Sequence, residues 1–410
     1  MFRSFIVILS IVSVMDFWSY IPFLEGKFGI LGWLINTFLF IYYFLVIIFK
    51  KKLKCKYEKI DKIVVWTIFT IFIGVLPTCY TYGQNIGETL MACLRLVIGL
   101  FLYLVLRRWN YPVSMMIKIV TFVSVVWVIL EIGQQFTYPN FWFSGRYLLY
   151  NNIEYRMGLY RYYIWGIDFV MLALAYWCLN FFTSMGTGQI KKYTFILFAI
   201  LAAGILCYCS RKHIYAFLLL MLIPIIKLQG KQRRNAFFIV IIALVFLFYN
   251  FYDDFSTMNN ESMASQEDDN GDFVRFVSAR YFLFDFSSDW TYYLWGMGVD
   301  TAGSRLHKIL QNLSILRIYQ ADVGLIGYFS KFGIIGVSAI IWYIIEFIKQ
   351  RKYIDSWLIG FFVMKIMLII FDFWAIWDVG MSAYAIFLYM LHCNINKNLN
   401  NQKKLLKAKI

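Results

Sequence analysis

Apolar residues run along this chain in stretches of about 20, each closed by polar or basic residues, and about 20 is the helix length that crosses a bilayer's hydrocarbon core. The pattern predicts about twelve spans, near residues 5–24, 28–49, 63–82, 86–106, 113–133, 162–183, 193–209, 213–229, 236–252, 319–348, 354–374 and 376–393. The expected fold is therefore an all-α polytopic membrane protein. Along the chain, nine spans occupy 1–252 with a long loop at 134–161 between them. A larger loop fills 253–318, three more spans fill 319–393, and a basic tail covers 394–410.

Composition excludes the alternative of a soluble globular core, since 61% of residues are hydrophobic and 21% aromatic. Basic residues then set the direction, because Lys and Arg are retained on the cytoplasmic side. With the N-terminus inside, Lys50 to Lys62, Arg107–Arg108, Lys191–Lys192, Lys231 to Arg234, Lys349 to Lys352 and the tail from Lys397 all fall inside. An error of one span before the tail would break that agreement. The net charge of +16 is accounted for by these loops facing anionic lipid, so membrane lipid is expected as a partner and nucleic acid is not.

The seven cysteines are odd in number and lie mostly within spans, which reads as packing and not as a disulfide framework. The first segment, FIVILSIVSVM, has the length of a signal peptide. Asp16 interrupts it and no small-residue cleavage site follows, so it is read as an uncleaved span.

Two segments predicted to face outward are too long to be connectors. The first, 134–161, is aromatic and carries Arg146, Arg156 and Arg161 on the side where basic residues are normally sparse. Its Trp142, Tyr147 and Tyr160 read first as interface anchors and second as faces that stack on sugar rings. The second, 253–318, opens with an acidic run expected to be solvated. It continues with FVRFVSARYFLFDFSSDWTYYLWGMGVD and GSRLHKILQNLSIL, whose helical periodicity and interspersed Arg275, Arg280 and Arg305 suit helices lying in the membrane interface.

Charges within spans are costly, and Arg95, Lys118, Glu131, Asp168, Lys331, Lys365, Asp372 and Asp378 are expected mostly to pair. Lys365 is expected to meet Asp372 or Asp378, and Arg95 and Lys118 to meet Glu131 or Asp168. Ser210 to Tyr215, SRKHIY, differs: its Arg211, Lys212 and His213 cluster where a basic group reaches phosphate at headgroup depth. The three histidines, His213, His307 and His392, read as lying outside the membrane core. His307 is an alternative candidate for the base, but beside Lys308 on an amphipathic stretch it reads first as a surface residue.

Taken together, outward arginines, an aromatic loop and an amphipathic segment describe a site for an anionic, lipid-linked substrate, since the planar guanidinium forks onto phosphate. The sequence holds no P-loop, dinucleotide fingerprint, HExxH or G-x-S-x-G, and no metal-ligand spacing. No cofactor and no metal are expected. An enzyme here needs a substrate that carries its own leaving group, such as a sugar on a polyprenyl diphosphate.

About twelve spans, the SR at Ser210–Arg211, the WGMGVD turn (Trp295 to Asp300) in a late loop and the following DVGLIGYFSKFGIIG (Asp322 to Gly336) resemble the O-antigen polymerase and O-antigen ligase superfamily, over roughly residues 140–345. The resemblance implies a GT-C-like bundle in a bacterial inner membrane with both termini cytoplasmic. It also implies metal-independent, inverting transfer of a glycan from undecaprenyl diphosphate to a hydroxyl of a second lipid-linked unit. A chain-length regulator protein is an implied partner. Ligases often carry His where Asp322 stands, so the departure favours a polymerase.

By position in the motif, the resemblance assigns the diphosphate to Arg156, Arg211 and Arg280. Asp322 is the candidate base or acceptor-orienting group. Its alternative is an N-cap, for which Asp is a preferred residue, and salt bridges to Glu154 or Asp285 are the alternatives for the arginines. Gly324, Gly327, Gly333 and Gly336 read as small-residue surfaces for close helix packing. A lipid-linked oligosaccharide flippase or exporter, or an O-antigen ligase, remains as an alternative function.

Overall fold

The computed structural model describes residues 2–15, 58–138, 154–156, 158–161, 166–186, 192–227, 273–369 and 378–408, with scattered positions between 34 and 45 and between 230 and 245. Helix makes up 87% of it, in keeping with an all-α membrane protein. Five helices are long and apolar enough to cross a membrane: Lys59–Tyr82, Ile86–Trp109, Val113–Thr137, Ile167–Met185 and Ala321–Tyr353. Shorter apolar helices stand at Phe2–Ser13, Lys192–Cys207 and Ser356–Leu368. The spans expected at 28–49 and 236–252, and the acidic run opening the late loop, lie outside the described residues apart from those scattered positions.

Local chemistry explains where the helices start and stop. The Asn85 side chain accepts from the Gly87 and Glu88 amides at 2.8 and 3.3 Å, capping the Ile86–Trp109 helix. That helix stops at Asn110, whose φ of 48° is left-handed, and Pro112 leads into the Val113–Thr137 helix.

The chain forms two compact units that interleave in sequence. The first comprises Met1–Ile35, Tyr111–Ser262 and Asp355–Met367. Its Val113–Thr137 helix packs against Ile167–Gly186 and Lys192–Cys207 around fully buried Trp127, Phe169 and Leu201. Trp177 donates from Nε1 to Thr121 Oγ1 at 2.9 Å. The buried Lys365 pairs with Asp168, which corrects the expected pairing with Asp372 or Asp378. Asp372 and the Asp378 side chain lie outside what is described, and an ammonium in an apolar bundle takes whichever carboxylate the packing brings to it.

This unit also holds a departure from all-α. Glu154–Arg156 and Leu159–Arg161 form an antiparallel hairpin that pairs Arg156 with Leu159 and Tyr155 with Tyr160. Gln135 clamps it: its Nε2 donates to the Tyr160 carbonyl at 2.7 Å, and its Oε1 accepts from the Tyr160 amide at 2.8 Å. The Tyr138 and Tyr160 rings stack at 3.7 Å, so Tyr160 is a packing residue of the loop.

The second unit comprises Asn36–Asn110, Met263–Ile354 and Leu368–Ile410. Its helices are Lys59–Ile73 continued by Val75–Tyr82, then Ile86–Trp109, Gly324–Gln350 and Asp378–Ala408. Gly99 lets the second of these lie directly on Ser382 of the last. Near the Lys59 end, Tyr103 donates to Asp61 at 2.5 Å, Arg107 Nε reaches the same carboxylate oxygen at 3.3 Å, and His392 Nδ1 stands 3.3 Å from the Tyr103 hydroxyl. His392 and His213 are both almost wholly buried; each is accommodated by polar neighbours, Tyr103 and Asn396 for one and Ser210 for the other.

Candidate functional site in the second unit

The Gly324–Gln350 helix is broken at Gly333, whose φ of 61° and ψ of −165° are not helical. A break inside a span leaves main-chain carbonyls in need of donors. Here the WGMGVD turn supplies them. The Met297 amide donates to the Ser330 carbonyl at 2.7 Å, and the Gly298 amide to the Lys331 carbonyl at 2.9 Å. Close approach forces glycine: a Cβ at Gly296 would overlap the Lys331 carbonyl, and one at Gly333 would overlap the Leu294 carbonyl. The expectation that Gly333 serves side-by-side helix packing is therefore corrected: it admits a loop to the helix backbone.

The other face of the turn is held by the Lys59–Tyr82 span. Pro77, which lacks the N–H that would reach the Ile73 carbonyl, interrupts that span's ladder just beyond Gly74. Thr78 Oγ1 donates to the Gly74 carbonyl at 2.7 Å and accepts from the Val299 amide at 3.2 Å. Gln84 Nε2 donates to the Val299 carbonyl at 3.2 Å and to Thr89 Oγ1 at 2.8 Å. The turn is thus wedged between two irregular helices, with its backbone hydrogen-bonded to both.

Around the wedge, the later half of the long loop folds into a layer with its own small core of Phe282, Tyr292, Met297, Leu306, Leu313 and Val323. Its helices are Val274–Arg280, Trp290–Trp295 and Arg305–Ile315, with a π-helical turn at Tyr281–Asp285. Tyr292 donates to the Phe282 carbonyl at 2.5 Å, and burial pushes its phenol pKa up, so it stays a donor. Phe276, Phe284, Trp290, Ile315 and Leu316 stay exposed on this layer, the aspect expected of helices lying at a membrane interface.

At the end of the wedge, Asp300 Oδ2 stands 2.7 Å from His307 Nδ1. Ser304 caps the Arg305–Ile315 helix by accepting from the His307 amide at 3.1 Å. His307 is thus fixed at backbone and ring, and it is not the isolated surface histidine that the sequence suggests. Lys331 is half-buried on the broken helix. The signal available in the sequence was the S-x-x-H cap at Ser304 to His307 just after the aspartate that ends WGMGVD.

Among the residues expected to form the site, Asp322 lies exposed in the 3-10 turn Ala321–Val323. The N-cap position of the following helix belongs to Val323, with no side-chain cap, which corrects the capping alternative for Asp322. Arg280 is 80% exposed at the end of its short helix, and its Nε lies 3.9 Å from Asp285 Oδ2. A pair that long and that open adds little, and the guanidinium keeps donors to offer. Both residues belong to the second unit.

Arg211 and Arg156 belong to the first unit. Arg211 is half-buried and opens the Arg211–Lys227 helix, directly after buried Ser210, whose Oγ lies 2.9 Å from His213 Nδ1. Arg156 is placed by its backbone on the first hairpin strand, and its side chain lies outside what is described.

No protein-family model matches the chain, and no curated protein matches it.

Proposed function

We propose that this protein is a membrane glycosyltransferase that joins oligosaccharide repeat units carried on undecaprenyl diphosphate, at the outer face of a bacterial inner membrane, by inverting transfer without a metal. The observation that carries the reading is that the late loop is a folded layer wedged into a broken span, with the exposed Arg280, Asp322 and the fixed His307–Asp300 pair in that layer. A reaction on a lipid-linked glycan needs cations for the departing diphosphate and a base for the incoming hydroxyl, and both kinds of group are present there. Arg280 is the diphosphate ligand that this layer offers to the reading, and Arg211 and Arg156, in the first unit, are proposed for the same group by their motif positions alone. Asp322 orients or activates the acceptor, and a chain-length regulator is the protein partner.

A flippase or exporter is the second reading, favoured by the break at Gly333, because discontinuous helices line many transport sites. A ligase using the same donor is the third. The test is reconstitution of the purified protein in liposomes with lipid-diphosphate-linked repeat units, with nucleotide and metal omitted. A ladder of products spaced by one repeat unit supports the polymerase. Movement of intact lipid-linked sugar across the bilayer without a ladder would replace it with the transporter, and transfer of single chains to a different acceptor with the ligase.

A further inference from the structure

We propose that His307, held by Asp300, is the base that takes the proton from the acceptor hydroxyl, and that Asp322 does not play that part. The inference rests on the glycosyltransferase reading and names a residue within it. A base must be aimed before the reaction starts, since reorientation during bond formation costs rate. Asp322 is exposed, and no hydrogen bond or ion pair holds it among the described residues. His307 is held twice, by Ser304 at its amide and by Asp300 at Nδ1. Asp300 is in turn held in place, because the Val299 amide and carbonyl beside it are bonded to Thr78 and Gln84.

The chemistry follows from which nitrogen is occupied. With Nδ1–H donated to the Asp300 carboxylate, the neutral ring carries its lone pair on Nε2. No described residue bonds Nε2, and the side chain keeps 31% of its surface open. A sugar hydroxyl reaching Nε2 gives up its proton there as its oxygen bonds to the donor's anomeric carbon. The bond from that carbon to the diphosphate oxygen breaks, and its electron pair leaves with the lipid diphosphate. The imidazolium so formed is stabilised by Asp300 and later returns its proton to solvent. Asp300 is a positioning residue, since it acts through the ring.

The test uses the full chain in liposomes with lipid-diphosphate-linked glycans extracted from the producing cells, and measures the initial rate of glycosidic bond formation beside donor binding. His307→Gln keeps an N–H for Asp300 but cannot accept a proton. It is expected to lose about 100-fold or more in rate, with donor binding within about twofold of wild type. His307→Gly is expected to regain rate when free imidazole is added, which a merely structural histidine would not allow. Asp300→Asn is expected to lower kcat with KM unchanged. Wild-type rate in His307→Gln, or a slow His307→Gly that imidazole leaves unmoved, overturns the assignment. A wild-type protein that forms no glycosidic bond overturns the glycosyltransferase reading itself, so the two failures are separate.

Discussion

The Gly298 amide donates to the Lys331 carbonyl at 2.9 Å, which makes a six-residue turn and a broken span one hydrogen-bonded body. The contact survives only without side chains: a Cβ at Gly298 would overlap Thr78 Oγ1 on the opposite helix. The backbone there also has a positive φ of 82°, which non-glycine residues adopt at a cost.

Gly298→Val is accordingly expected to lower stability by on the order of 3 kcal/mol, through strain and overlap together. Gly303 shares the positive φ but has open space around it, so Gly303→Ala is expected to cost only about 1 kcal/mol. Thermal unfolding of the two variants in detergent compares them directly; equal losses would show that the wedge is not tightly packed.

In the first unit, Asp168→Asn leaves the Lys365 ammonium, 6% exposed, without its carboxylate. A loss on the order of 3 kcal/mol is expected. The exchanged pair Asp168→Lys with Lys365→Asp restores much of it. Unfolding in detergent reads both variants, and an exchange as unstable as the single variant would place the stabilisation elsewhere.

The cluster of Asp61, Tyr103 and Arg107 binds two helices of the second unit at one end. Tyr103→Phe removes the hydroxyl that donates to Asp61 and keeps the ring, so about 1–2 kcal/mol is the expected loss. Arg107→Met removes the paired cation and leaves Asp61 only the Tyr103 hydroxyl among these partners, and it is expected to cost more. The order of the two melting temperatures is the check.

Arg280→Ala and Arg211→Ala are expected to abolish polymer while membrane insertion stays intact, measured by product gels beside protein levels in isolated membranes. Normal chain lengths in either variant would remove that arginine as a diphosphate ligand. Asp322→Asn retains a polar group for orienting the acceptor and is expected to slow the reaction less than His307→Gln. The reverse order would return the base to Asp322.

The late-loop layer is expected to rest in the headgroup region. A spin label at Phe284, 70% exposed, should be relaxed more by oxygen than by a water-soluble nickel chelate, and a label at Asp289 should show the reverse. Aqueous accessibility at both positions would lift the layer off the bilayer.

Hydropathy locates helices by their apolar length, which is why 86–106 and 113–133 match the observed Ile86–Trp109 and Val113–Thr137 so closely. The same reasoning ended the last span at 393, whereas the helix continues to Ala408. The extension ends in Gln, Lys, Leu and Ala, which are good helix formers, and Asn398 anchors it by donating to the Tyr353 carbonyl at 2.9 Å. WGMGVD could be noticed as a motif, but its setting could not, because Thr78 lies 219 positions from the Met297 carbonyl it contacts. The Asp300–His307 pair was hidden for a different reason. Nothing in a periodicity distinguishes a ring held by a carboxylate from one turned to solvent.

The break at Gly333 also changes the electrostatics of its span. A continuous helix carries one dipole with its ends near the two membrane surfaces, whereas two half-helices carry two, with a negative end and a positive end meeting inside the protein. Met297 and Gly298 answer the negative end at Ser330 and Lys331 with their amides. The second half therefore begins its own dipole at Gly333, and its positive end acts as a fixed partial charge at a depth where water screens little.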